Sequence, residues 1–222
     1  MKTEIAPITT HDQNNRYRKP EKVEALIQAA YTAIAKKGYA QVSLRDIADE
    51  AGVNKSLLHY YFKDKDELIM AVYRHVVLEI HRIIFRVATL PMSTEEKLRR
   101  GFMDVLAFTE KKPEWFVVVM DLTVYGIQKD ESRLEIFTMH EQLKDIISNG
   151  LREAKKSGEF RHDFDETVVA TLSVALANGL ALLYSIARET TDLNAAYGYF
   201  ATMLRDFMAD GETEGRRASI DG

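Results

Sequence analysis

With 222 residues, 46% of them apolar and 29% charged, the chain can bury a sizeable core, which excludes wholesale disorder. It has no cysteine, which excludes disulfide scaffolds and thiolate metal centres, and its 4 prolines and 11 glycines favour helices over a loop-rich β fold. The formal net charge of −4 names no partner, but residues 1–65 hold 11 Lys/Arg against 8 Asp/Glu while residues 66–222 hold 19 against 26.

Residues 1–20 are polar, lack the apolar stretch of a secretory signal and read as a flexible arm, in keeping with a cytoplasmic protein. From residue 21 to 37, Val23, Leu26, Ile27, Ala30 and Ile34 keep helical spacing, and Gly38 supplies a stop. Ser43, with Asp46 three positions on, predicts a capped short helix ending at Gly52. Asn54 then caps a second short helix, and Lys63-Asp64 closes it. A longer helix is predicted from about residue 65 to 88. Ser93 and Glu96 start the next, Pro113 the one after, and residues 131–156 form a long amphipathic helix ending at Gly158. A loop over 158–165, helices over about 165–188 and 193–209, and a polar tail from 211 complete an all-α chain. Residues 167–187 carry no charge across a membrane-spanning length. Their larger apolar side chains form a stripe, however, and Asn178 and Gly179 sit near the middle, so a buried helix is expected and no membrane.

The two short helices carry the sharpest signal. Ile47, Ala48 and Ala51 face inward on the first, and Val53, Leu58 and Phe62 meet them from the turn and the second. Gly52 sits where a tight backbone is needed, as in a helix-turn-helix. With Leu58 and Phe62 inward, Lys55, Leu57, His59 and Tyr61 are expected to point out. An outward set of lysine, serine, histidine and tyrosine suits a phosphate-lined groove, where hydroxyl and ammonium groups meet phosphate oxygens and a few side chains reach base edges.

From about residue 22 to 68, through "SLRDIADEAGVNKSLLHYYFKDKDEL", the chain resembles the DNA-binding domain of the tetracycline-repressor (TetR) family of bacterial transcription regulators. The resemblance implies a three-helix DNA-binding domain over 21–68 and a helical effector-binding and dimerisation domain over 69–210. It implies that Ser43 caps its helix and contacts a phosphate, and that Arg45 reaches a base or the backbone. Lys55, Ser56, Leu57 and His59 would occupy the groove-facing part of the recognition helix, and Tyr60, Tyr61 and Lys65 would clamp phosphates. His59 stands where many members have tyrosine, and Leu57 where many have threonine.

One such unit reads only a few base pairs, so two are expected on a palindromic duplex. Leu172, Leu176, Leu180 and Leu183, with Tyr199, Met203 and Phe207, form the stripes expected at a homodimer interface. The resemblance also implies a small-molecule cavity among the middle helices. The candidates there are Phe102, Trp115, Phe116, Met120, Asp121, Tyr125, Phe137 and His140. The expected function is a ligand-responsive DNA-binding regulator, with a repressor as first reading and an activator, or an all-α ligand-binding protein or enzyme, as alternatives. No HExxH, glycine-rich phosphate loop or Gly-x-Ser-x-Gly is present, and no cofactor or metal is expected.

Overall fold

The computed structural model describes residues 19–160 and 164–209, and among these residues it contains nine α-helices and no strand. The all-α class read from the sequence is observed. The expected arm over 1–20, all but its last two residues, and the expected tail over 211–222 lie outside the described residues, as does the middle of the 158–165 loop. The chain divides into two compact units, one ending at Val72 and the other beginning at Tyr73.

The first unit holds α1 (Pro20–Lys37), α2 (Leu44–Glu50), α3 (Lys55–Tyr61) and the opening turns of α4 (Lys65–Ala88). Proline in the first turn starts α1, where its missing N–H costs nothing, and Gly38 ends it with its amide on the Ile34 carbonyl at 2.7 Å. Leu26, Ile27, Ala30 and Ile34 of α1 bury their side chains, as do Ile47 and Ala48 of α2, Leu58 of α3, and Leu68 and Ile69 of α4. Each large aliphatic among them stabilises the fold by about 1.5–3 kcal/mol through burial.

The second unit contains the rest of α4 and α5 (Thr94–Lys111), α6 (Glu114–Gly126), α7 (Asp130–Lys156), α8 (Glu166–Ile186) and α9 (Leu193–Ala209). Ser93 and Glu96 close a capping box on α5, and Asp165 caps α8 through the amides of Thr167 and Val168. Two apolar clusters hold the bundle. One joins Leu151, Phe164, Val169, Phe200 and Leu204, and the other joins Leu106, Leu180, Tyr184, Leu193 and Tyr197. Phe102 and Leu176 pack against both. Gly126 lets the end of α6 approach α7 closely, since a Cβ there would collide with the Ile136 Cδ1. By length and composition α8 could cross a membrane. Its Val169, Ala170, Ser173, Leu180, Ala181 and Tyr184 are nevertheless buried in the bundle, while Val168, Leu172, Leu182, Leu183 and Ile186 remain exposed on its other side.

Candidate nucleic-acid interface and ligand cavity

Local chemistry builds the pair α2 and α3. The Ser43 hydroxyl accepts the Asp46 amide at 3.2 Å, and the Asp46 carboxylate accepts the Ser43 amide at 2.8 Å. Lys37, bonded to that carboxylate at 2.6 Å, and Ser43 hold it well below the usual carboxylate range. At the other end, Gly52 adopts φ 62°, its amide bonds the Asp49 carbonyl and the Val53 amide bonds the Ala48 carbonyl. Those two bonds make a Schellman ending, which turns the chain sharply into α3. Asn54 opens α3 by accepting the Ser56 amide at 3.1 Å.

An α-helix with its side chains is about 10–12 Å across, which suits a major groove about 12 Å wide, and α3 offers seven residues for that contact. Leu58 and Phe62 are buried, as read from the sequence, while Lys55, Ser56, His59 and Tyr60 are exposed and Leu57 is half-buried. Ser43 and Arg45 are exposed beside them. Among the described residues the side chains of Arg45, Lys55 and Lys63 have no ion pair, whereas Lys36 is held by Glu50 and Lys37 by Asp46.

Two expectations need correction. Tyr61 is buried, at 7% exposure against 58% for Tyr60. The reason is that α3 ends at Tyr61 and Phe62 is already extended (φ −129°, ψ 129°). Phe62 therefore reaches the core from outside the helical register, and Tyr61, three residues from Leu58, takes the inward face. The second correction concerns Lys65. Its ammonium donates to the Val42 carbonyl at 2.7 Å and the Tyr39 carbonyl at 3.4 Å, and lies 4.5 Å from the centre of the Tyr39 ring. It fastens the loop between α1 and α2, and burial lowers its pKa.

A cavity of about 140 Å³ lies in the second unit, lined from α4 (Ile84, Val87), α5 (Leu98, Phe102, Val105), α6, α7 (Ile147, Leu151) and α8 (Val174, Ala177). Of the expected ligand residues Phe102, Trp115 and Phe116 line it; Met120, Asp121, Tyr125, Phe137 and His140 do not. Phe137 points outward with 59% exposure. Tyr125 is engaged by the Lys129 ammonium. His140 bonds the Ile136 carbonyl at 3.0 Å and stands near the buried His81, while Met120 and Asp121 are half-buried away from the cavity. Sequence reasoning missed the share of α4, α7 and α8, and it missed Gly101 on α5, Gly150 on α7 and Ala177 and Ala181 on α8, which leave the space that bulkier neighbours enclose. Trp115 connects this cavity to α4, because its indole N–H donates to the Val76 carbonyl at 2.8 Å.

The family model for bacterial regulatory proteins of the tetR family matches residues 26–72, the helix-turn-helix just described. The transcriptional regulator BetI of Brucella melitensis biotype 2 is 42% identical over 190 residues, covering 86% of this chain and 91% of that protein. The chain belongs to the TetR family. It is accordingly a DNA-binding transcriptional regulator. The TetR fold extends through the second unit. A regulator from Saccharomonospora viridis solved with choline superposes with a TM-score of 0.74 at 20% identity, over 86% of this chain and all of that one. FadR of Bacillus subtilis, solved with stearoyl-CoA, gives 0.70 at 20%, over 82% of this chain and 96% of the other.

On this TetR-family chain the stripes expected at a dimer interface separate into two groups. Leu172, Leu183, Tyr199, Met203 and Phe207 are exposed, Tyr199 at 80%. Leu180 is buried in the cluster with Leu106 and Tyr197, and Leu176 packs on both clusters, so these two serve the protomer's own core.

Proposed function

We propose that the protein is a homodimeric cytoplasmic repressor that binds a palindromic operator and leaves it when a small-molecule effector occupies the cavity of the second unit. The observation that carries this reading is the division of α3: Leu58 and Tyr61 face in, and Lys55, Ser56, His59 and Tyr60 face out. In it, Ser43, Lys55, Ser56 and Tyr60 hold phosphates, Arg45 and His59 reach base edges, and Leu57 offers apolar contact to a thymine methyl. Lys65 and Tyr61 support this surface from behind. Two copies joined through the exposed faces of α8 and α9 would form a four-helix interface and present two reading helices to successive grooves.

Release requires the effector to bind one arrangement of the protein more tightly than the other, since equal affinity shifts nothing. The helix α4 runs from the first unit into the second and is the covalent route between them. Trp115 supports a role for α4 in this coupling, as it both lines the cavity and bonds the α4 backbone at Val76. Selection of bound fragments from a random duplex pool tests the proposal. Enrichment of a two-fold symmetric sequence is expected, and a pool that emerges without enrichment would overturn it.

A further inference from the structure

The lining of the cavity has one sign of charge. Beyond its apolar wall the described lining carries six polar residues, and four of them are already committed. The amide and hydroxyl of Thr94 both donate to the Glu159 carboxylate. Thr109 donates to the Val105 carbonyl at 3.0 Å, Ser173 to Val169 at 2.8 Å and Trp115 to Val76 at 2.8 Å. The remaining two are Asn178, a neutral amide, and Lys97. Among the described residues no carboxylate lines the space. Lys97 stands in the first turn of α5, half-buried, and among the described residues its ammonium has no hydrogen bond or ion pair. Two other basic side chains of this segment have partners, Arg100 bonding Asp104 at 2.8 Å and Lys112 bonding Glu79 at 2.7 Å.

Two of the three aromatic residues in the wall are already engaged with other rings. Phe102 gives a ring face to Tyr197, stacked at 5.0 Å, and Trp115 meets the Phe108 ring at right angles. A quaternary ammonium is held by open aromatic faces or by a carboxylate, and here it would meet Lys97 instead. An apolar space on the order of 150 Å³ takes a benzene-sized group, which matches the tail of a small amphiphile.

We infer that the effector is a monoanionic amphiphile, its apolar tail in the cavity and its carboxylate paired with Lys97. This rests on the cavity being the effector site, and the two ideas fail differently. Trp115 is the chain's one tryptophan and lines the cavity, so its fluorescence reports occupancy directly. The purified full-length protein is titrated with octanoate, 1-octanol and octyltrimethylammonium, three probes with the same tail and different heads. Octanoate should bind about tenfold more tightly than the cation, the scale of one charge-assisted hydrogen bond. Lys97→Arg should keep that preference, Lys97→Met should abolish it and Lys97→Glu should reverse it. Equal binding of octanoate and the cation, or unchanged octanoate binding in Lys97→Met, overturns the assignment of charge while leaving the cavity as a ligand site. Silence of Trp115 toward all three probes overturns both.

Discussion

Tyr60 and Tyr61 are chain neighbours with opposite surroundings, and that difference is testable. Tyr61→Ala removes a buried ring and should cost about 3 kcal/mol of stability, read as a shift in urea midpoint. Tyr60→Ala gives up only an edge-on contact with the Tyr61 ring and should cost about 1 kcal/mol, while weakening binding to every duplex sequence. Lys55→Ala should reduce the slope of log affinity against log salt by about one, since it removes one phosphate-neutralising charge. His59→Ala should instead change preference at one or two base positions, and equal loss on all sequences would contradict its place at the base edges. His81 makes a different prediction. It is 3% exposed, its Nε2 has no partner among the described residues, and burial with His140 nearby lowers its pKa to about 4. The unfolded chain takes up that proton near pH 6.5 and the folded one resists it until about pH 4. Stability should therefore fall as pH drops through this window, by up to about 3 kcal/mol, and be level above it. In His81→Phe the slope should be lost; a persistent slope would point to another group.

Among the elements, those with explicit start and stop chemistry were legible in the sequence. Ser43 with Asp46, Asn54, and Ser93 with Glu96 all cap the helices they were expected to cap. The error at Tyr61 has an equally local cause. Helical spacing was carried through to Phe62, but the backbone leaves the helix one residue earlier, and no residue type marks that exit. Gly52 supplies the critical turn. Among the described residues nothing beyond its chain neighbours lies within 4 Å of where a Cβ would sit, so the penalty of a side chain is that of the left-handed backbone. Gly52→Ala should cost about 1 kcal/mol and Gly52→Asn less, measured by chemical denaturation. A much larger cost for alanine would mean that more than its backbone conformation constrains this turn.

At the scale of the whole molecule, sequence reading was weakest where a helix is apolar all round. The residues of α8 gave no basis for separating Leu180, which joins the core, from Leu172 and Leu183, which do not. The packing of α7, α6 and α9 against α8 settles which side is inner. The cavity was obscured for the complementary reason: it is defined by what Gly101 and Ala177 lack, and large residues draw attention first. Pairing through α8 and α9 predicts that Leu183→Glu combined with Tyr199→Glu yields monomers in sedimentation and weakens operator binding at least a hundredfold, because each lone reading helix then binds by itself. A dimer that survives both charges would place the interface elsewhere.

The reading helix and the exposed apolar stripe belong to different compact units of one chain. If two copies pair through that stripe as proposed, a copy disabled in α3 but intact in α8 and α9 still finds partners, and each mixed pair wastes a sound subunit. Producing such a defective copy in excess beside the wild type should thus be dominant in a cell, relieving control of the target genes more completely than lowering the dose of the normal gene by half.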